Sequence, residues 1–515
     1  MIFQNHIPSI SFWKWIRENR KCKLLLAVSG VSVLIQFLAF KYLYPFPNFL
    51  PDSYSYLDTA ATNQFINMWP IGYSRFLRLL SVFTKSHTAL ILIQYLLLQA
   101  SVLYLLFTIA YLLMPGRQVF RILLSCCILN PSLLHVSNFV SSDALFATLS
   151  LVWFTQLLWI ISKPRWQLVL AHSVILLLVF TVRYNALYYP FISLLVIGIS
   201  RTRIWIKLAG IAGIVILLGG FIVQTLYKYH TITGTTQFSA FGGWQLASNA
   251  LFAYAHVSKQ PAETVPDRFK ELHALVNRHM DSLRQVKQRP DVELGVYYLW
   301  DEQSPLKRYV HNVYKKDSLT NGFNQWASMG PLYAQYGRYL IQQHFSAFAR
   351  YYLWPNTLNY YSPPAEFLGT YNMGKDSIEP IGQIWFRLKS NKVHTLLKTK
   401  TITIATFLPV LLAIINLVFI MSIISFLLLN GLKKAMPFFK QTIWIMLLVW
   451  SCNAMFSILA SPVVLRYQVF PMISTLTFTI LLVTFIIRES RVANFPPDDY
   501  RDQITAPKMS LNYHK

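Results

Sequence analysis

The sequence predicts an all-α polytopic membrane protein with about ten, and at most about twelve, transmembrane helices and a large, mainly helical segment outside the membrane. Of its 515 residues, 54% are hydrophobic and only 13% are charged, and the mean hydropathy is +0.41. These values are far from those of a soluble domain of this length. Long apolar runs also recur along the chain, and the loops between them alternate in basic character.

About ten apolar runs are long enough to cross a hydrocarbon core of roughly 30 Å as helices. They cover residues 24–44, 88–113, 119–136, 144–161, 168–182, 186–199, 208–226, 402–429, 441–459 and 467–487. The first run is too long for a signal peptide and is followed by no small-residue cleavage site. We therefore expect it to be a retained span.

The distribution of Lys and Arg predicts the orientation, because short loops rich in these residues stay in the cytoplasm. Basic residues precede the first span and recur in every second loop, which predicts that both termini lie in the cytoplasm. The sequence has no glycosylation sequon with a permitted middle residue, which suits a bacterial inner membrane. Loops 45–87, 137–143, 183–185, 227–401 and 460–466 then face outward. This topology and anionic membrane lipids account for the net charge of +26, so nucleic acid is not expected as a partner.

The spans and loops divide the chain into five parts. These are a basic cytoplasmic N-terminus (1–23), an N-terminal transmembrane catalytic module with outer loop 45–87 (24–226), an extracytoplasmic or interfacial segment (227–401), a three-helix transmembrane unit (402–487) and a cytoplasmic tail (488–515).

The outer segment is too long for a simple linker and is expected to be a functional domain. Its first half is rich in charges of both signs, and its pattern predicts a helix near 268–288. Its second half combines Tyr and Trp with Arg, which predicts contact with the outer leaflet. The alternative is a small folded cap whose aromatic residues form its core.

The cysteines indicate neither a disulfide framework nor a metal centre. Four are present, all in or beside apolar runs, and no metal-ligand spacing occurs. No cofactor is therefore expected, and a need for a divalent metal is left open but not indicated.

The first outer loop contains the first candidate catalytic residue, Asp52. The segment Pro51-Asp52-Ser-Tyr-Ser-Tyr predicts a short helix in which Asp52 shares a face with Tyr56. Asp58, six residues later, is rotated away from Asp52 on such a helix. The alternative reading is structural, because proline followed by an acid is a common helix start.

A second acid, Asp143, stands before the fourth apolar run on the same predicted face. Ser142 before it makes helix capping the alternative reading. Basic residues are disfavoured in outward loops, yet five lie at this membrane boundary: Arg75, Arg78, Lys85, Arg183 and Arg466. A lipid-linked phosphate is the simplest ligand for them, and the alternatives are snorkelling and pairing with the acids.

The order of these segments resembles the C superfamily of membrane glycosyltransferases (GT-C), in particular the bacterial branch that is similar to protein mannosyltransferases and aminoarabinose lipid A transferases. The matching segments are Pro51-Asp52 through Asp58, Gly72-Tyr73, Asn130-Pro131 through Asp143-Ala144-Leu145, Val182-Arg183-Tyr184-Asn185 and Leu465-Arg466-Tyr467. The chain departs from the mannosyltransferases at Asp52-Ser53, where they have Asp-Glu.

The resemblance implies a glycosyltransferase with a polyprenyl-phosphate-linked sugar donor and a lipid, glycan or protein acceptor, acting with inversion. It implies Asp52 as the catalytic base and Asp143 as a second acid that orients the acceptor or a sugar hydroxyl. Phosphate and substrate contacts are then expected from Lys85, Arg183, Arg466, Tyr56 and Tyr467.

Two other functions and one further candidate base remain open. A polymerase or ligase of lipid-linked glycans would also hold a phosphate with arginines, but would not depend on an acid in the first outer loop. A non-enzymatic lipid transporter would be indifferent to Asp52. His344, amid aromatics in the outer segment, is a possible second base whose alternative is a structural role.

Overall fold

A computed structural model of the protein describes residues 10–293, 295–315, 322–397 and 399–494. Within these ranges the chain is helical and contains isolated β-bridges but no strand longer than that. An all-α polytopic architecture is therefore confirmed. The predicted tail 488–515 lies outside the described residues from position 495 onward.

The first part of the chain folds into eleven α-helices, and the apolar ones pack into one large core. They are α1 (Phe12–Glu18), α2 (Arg20–Leu43), α3 (Pro51–Thr62), α4 (Gly72–Phe83), α5 (His87–Leu113), α6 (Arg117–Ile128), α7 (Pro131–Ser137), α8 (Asp143–Ser162), α9 (Trp166–Val182), α10 (Tyr189–Ile199) and α11 (Ile204–Thr233).

The outer segment contains ten shorter helices. They are α12 (Ala240–Tyr254), α13 (Lys270–Gln285), α14 (Pro290–Glu293), α15 (Tyr297–Trp300), α16 (Pro305–Val313), α17 (Gly322–Ser328), α18 (Gly330–Gln343), α19 (Phe345–Phe348), α20 (Trp354–Tyr361) and α21 (Pro380–Phe386). The closing unit has four, namely α22 (Thr403–Leu428), α23 (Gly431–Lys434), α24 (Pro437–Ala460) and α25 (Val469–Asn494).

Eight helical stretches of the described chain are long and apolar enough to span a membrane. Eight of the predicted runs fall in them, with α6 and α7 together forming one stretch. The other two predicted spans, 168–182 and 186–199, fall in helices of only 17 and 11 residues. At 1.5 Å per residue these are shorter than a hydrocarbon core of about 30 Å.

The outer segment has its own core, centred on the close packing of α12 against α18. A Cβ atom on Gly243 would lie 2.0 Å from the carbonyl oxygen of Gly330, and one on Gly337 would lie 2.7 Å from the backbone of Ala247. Glycine is required at these positions because no side chain fits between the two backbones.

The aromatic half of the outer segment is divided between a core and exposed sites. Trp326, Tyr333 and Tyr336 are buried within the core of the outer segment. Phe345 and Trp354 are each 61% exposed, so membrane contact remains a prediction for the part that follows α18. The predicted helix at 268–288 is present as α13.

Candidate functional site

Backbone pairing fixes the starts of α3 and α8 side by side. The amide of Asn48 donates to the carbonyl of Asn138 at 2.8 Å, and the amide of Val140 donates to the carbonyl of Asn48 at 3.0 Å. These bonds form a short parallel bridge between Asn48 and Phe139, and Asp52 and Asp143 each follow their bridge residue by four positions. The bridge therefore brings together two acids that are 91 positions apart in the sequence.

Two later segments join the same place. The side-chain oxygen of Asn372 accepts from the amide of Phe49 at 3.3 Å, which ties the outer segment to the first outer loop. The amide of Leu465 donates to the carbonyl of Pro364 at 3.0 Å, which ties the outer segment to the turn that carries Arg466. Four segments of the chain thus converge, and all were predicted to face outward.

The converging segments form a cluster of charged side chains that contains Asp52, Asp143, Arg183 and Arg466. Asp143 lies at its centre and binds the two arginines. One carboxylate oxygen pairs with Arg183, and the other accepts from Arg466 at 3.2 Å and from the hydroxyl of Ser141 at 2.8 Å. The Asp143 side chain is only 1% exposed. Because both oxygens are engaged and covered, we infer that Asp143 positions the arginines and does not contact substrate.

Tyr467 lies between the two guanidinium groups. Its ring centroid is 4.2 Å from the Cζ of Arg183 and 4.5 Å from that of Arg466. Its hydroxyl accepts a hydrogen bond from Arg466 at 2.6 Å. A ring face favours adjacent cations, so Tyr467 holds the two like charges close together.

Asp52 is the carboxylate of the cluster that has no ion-pair partner among the described residues. It lies in the first turn of α3 and is half-buried. Burial raises the pKa of Asp52, and the nearby charge of Asp143 adds to the rise, whereas Arg466 and Arg183 lower it. The net direction is upward, which is suitable for a group that must accept a proton.

Tyr56 and Gly72 support this arrangement. The hydroxyl of Tyr56 hydrogen bonds the hydroxyl of Ser142 at 3.1 Å, so Ser142 does not use its side chain as a helix cap. A Cβ atom on Gly72 would lie 2.6 Å from the backbone of Thr181. Glycine therefore lets α4 approach the end of α9, next to Arg183.

Glu366, which the sequence reading did not single out, is the third acid of the cluster. Its Oε2 lies 3.8 Å from the Nε of Arg466. Burial raises its pKa, Arg466 opposes the rise, and Asp52 and Asp143 add to it. One feature of the sequence could have identified it, since Glu366 is the one acidic residue between positions 322 and 370.

Lys85 does not join the arginines. It lies in a groove of about 420 Å³ formed by α3, α4 and α21, with its Nζ 3.9 Å above the ring of Trp385. Burial and the charges of Arg387 and Arg78 lower the pKa of Lys85. The groove begins at Ala60, eight residues along α3 from Asp52, or about 12 Å along the helix axis.

The other expected residues have structural partners. Arg75 bonds the side chain of Asn63, and Arg78 donates to the carbonyl of Ala60 at 2.9 Å, so both hold the end of α3. The ring of His344 packs 5.6 Å from Tyr254 in the outer segment, and no contact in the described chain links it to the acids. Its structural reading is therefore favoured.

A small cavity of about 10 Å³ lies beside the arginines, on the side of Phe146 and Phe470. That is room for one water-sized sphere. In the described ranges no group of three or more His, Cys, Asp or Glu side chains is arranged to hold a metal ion.

Comparisons with protein-family models, with curated proteins and with solved structures find no match for this chain.

Proposed function

We propose that this chain is an integral-membrane glycosyltransferase of GT-C type that moves a sugar from a polyprenyl-phosphate donor to an acceptor hydroxyl. The observation that carries the proposal is an unpaired carboxylate, Asp52, beside two arginines that Asp143 and Tyr467 hold in place. A free base beside fixed cations is what the displacement of a phosphate-linked group requires.

The proposed reaction is a single displacement. Asp52 takes the proton of the acceptor hydroxyl, whose oxygen attacks the anomeric carbon. The bond from that carbon to the phosphate oxygen breaks, and the electron pair leaves with the polyprenyl phosphate. Base and leaving group lie on opposite faces of the sugar, so the anomeric centre inverts.

The donor phosphate has two possible cationic partners. Arg183 and Arg466 already share the charge of Asp143, whereas Lys85, Arg78 and Arg387 form no ion pair with a carboxylate in the part of the chain that is described. The groove at Lys85 also has an apolar wall of Ile381, Ile384 and Trp385, which suits a prenyl chain. We infer that the lipid phosphate is first held at Lys85 and then moves to Arg183 and Arg466, which stabilise its charge as it leaves the sugar.

Neighbouring surface supports entry of a lipid at this groove. Leu79, Val82 and Phe83 on α4 are 63%, 76% and 81% exposed, and Val82 lines the groove. An exposed apolar face on a short amphipathic helix is typical of a membrane interface.

A polymerase or ligase of lipid-linked glycans, and a non-enzymatic lipid transporter, are the competing proposals. Both explain the groove and the arginines, but neither requires a free carboxylate at Asp52. The test is mass spectrometry of envelope glycolipids and glycoproteins from a deletion strain. Accumulation of a species that lacks one sugar, reversed by the wild-type chain, supports transfer, and the mass difference identifies the sugar class. An unchanged glycan profile contradicts the proposal.

Replacing Lys85 with alanine is expected to raise KM for the lipid-linked donor about 10-fold or more while kcat stays within a few-fold, because Lys85 holds the donor phosphate on entry, before the phosphate reaches the arginines beside Asp52. Lys85→Arg should restore much of the affinity. Steady-state transfer by the purified protein measures both constants, and Lys392→Ala, an exposed lysine of the outer segment, is the control. An unchanged KM would place the phosphate elsewhere.

The orientation is testable by single-cysteine labelling after replacement of the four native cysteines. Arg278→Cys, exposed on α13, should react with a membrane-impermeant maleimide in right-side-out spheroplasts of a bacterial host. Lys433→Cys, exposed on α23, should react only after permeabilisation. The reverse pattern would put the acid and arginine cluster in the cytoplasm and contradict the polyprenyl-phosphate donor.

A further inference from the structure

One hydrogen-bond donor of the cluster has no acceptor. Arg466 is 8% exposed, its Nη1 is bound to Asp143 and its Nη2 to Tyr467. Its buried Nε donates to no atom of the described residues. The 3.8 Å between this Nε and Oε2 of Glu366 is too long for a hydrogen bond.

Glu366, whose Oε2 lies 3.8 Å from this Nε, has an unusual backbone conformation. Its φ of +46° lies in the left-handed region, which an L-residue with a bulky side chain rarely adopts. The bond between Leu465 and Pro364 and the stacking of Arg466 over Phe367, at 5.9 Å, keep the turn in place. The Glu366 side chain is 31% exposed, so its carboxylate can be reached by a ligand. Strained backbone of this kind is concentrated at functional sites.

The two groups together favour a ligand group that both accepts and donates a hydrogen bond. A phosphate oxygen accepts from Nε but meets the negative charge of Glu366. An ammonium group satisfies Glu366 but leaves Nε without an acceptor. A hydroxyl both accepts and donates, so it satisfies Arg466 and Glu366 at once.

We propose that Glu366 and the Nε of Arg466 form a subsite for a substrate hydroxyl, in which the hydroxyl accepts from Nε and donates to the Glu366 carboxylate. This inference rests on the proposed glycosyl transfer and adds a positioning residue to it. The charge of Asp52 acts on both Glu366 and Arg466, so the subsite adjoins the proposed base. The hydroxyl belongs either to the donor sugar or to the acceptor.

The test uses the full-length protein and compares Glu366→Gln, Glu366→Gly and wild type in the rescued deletion strain at equal membrane abundance. We expect transfer to fall about 10-fold in Glu366→Gln, which keeps hydrogen bonding but loses the charge, and about 100-fold in Glu366→Gly. The Tm of Glu366→Gly should be no lower than that of wild type, because glycine adopts the left-handed conformation without strain. Glu379→Gln, an exposed acid of the same segment, is the control and should transfer normally.

Thermal shifts then separate the two sources of the hydroxyl. The probes are undecaprenyl phosphate and the same lipid carrying the sugar that the deletion strain identifies. If the donor sugar supplies the hydroxyl, the extra stabilisation by the sugar-bearing lipid shrinks in Glu366→Gln. If the acceptor supplies the hydroxyl, the extra stabilisation by the sugar-bearing lipid in Glu366→Gln equals that in wild type, although transfer is slow.

Two results would overturn the subsite. One is wild-type transfer by Glu366→Gly, and the other is a loss of transfer that is fully explained by a lower Tm. If Asp52→Asn is inactive, either result contradicts the subsite but not the proposed function. Full activity of Asp52→Asn contradicts the proposed function itself.

Discussion

Asp52→Asn is expected to lower the rate of sugar transfer about 10²- to 10⁴-fold while the protein folds normally, because an amide cannot accept the proton of the acceptor hydroxyl. Asp52 is half-buried and forms no ion pair with another described residue, so its replacement breaks no paired charge. The measurement is transfer in the rescued deletion strain, together with Tm of the purified protein in detergent.

Asp58→Asn is the matched control for this change. Asp58 lies on the same helix, α3, six residues further on, and is exposed. Its replacement should leave transfer within about two-fold of wild type, as is usual for an exposed surface position. Full activity of Asp52→Asn would make Asp52 a helix-start residue and would favour the ligase or transporter proposal.

The pH dependence follows from the same carboxylate. Burial raises the pKa of Asp52, with Arg466 and Arg183 opposing the rise in part. A base acts in its ionised form, so transfer should fall as the pH drops through this raised pKa, at a higher pH than an ordinary aspartate would set. The acidic limb of kcat/KM against pH measures it. A limb at the ordinary position of an exposed aspartate would contradict the assignment.

Asp143→Asn is the second change with a large expected effect, and it should reduce both transfer and stability. Asp143 neutralises Arg183 and Arg466, so its loss leaves two largely covered guanidinium groups with too few acceptors. Breaking a buried ion pair costs about 3–5 kcal/mol. We expect a Tm lower by several degrees and transfer reduced by about 100-fold or more, because Tyr467 alone does not keep the two guanidinium groups in position.

The comparison variant is Asp281→Asn, which removes an exposed ion pair with Lys259 in the outer segment. Pairs of this kind contribute about 0–1 kcal/mol, so Tm and transfer should stay close to wild type. If Asp143→Asn kept both the Tm and the activity of wild type, the arginines would have another anchor and the role given to Asp143 would be wrong.

Several features were predictable because they depend on local chemistry. The apolar runs identify membrane helices since an α-helix satisfies its own backbone hydrogen bonds in lipid, and eight of the predicted runs are found in helical stretches of sufficient length. Composition does not show whether a 14-residue apolar run spans a membrane or packs beside other helices. The structure has helices of 17 and 11 residues at the two uncertain positions.

The candidate site was predictable in part. Asp52, Asp143, Arg183, Arg466, Tyr56 and Tyr467 were selected from the sequence, and the structure brings them together. Lys85 was expected in the same group but lies in a separate groove. Charge and sidedness are local properties of the sequence, whereas the distance between two loops on one membrane face is not.

The sequence by itself therefore determined that the chain is a helical membrane protein, because hydropathy acts residue by residue, and it predicted which charged residues stand at one membrane boundary. Only the tertiary structure decided which of these residues are paired. The bridge between Asn48 and Phe139 and the link from Pro364 to Leu465 join segments that are far apart in the chain. Through these contacts Asp143 becomes covered by two arginines, Asp52 forms no ion pair with another described residue, and Glu366 enters the site.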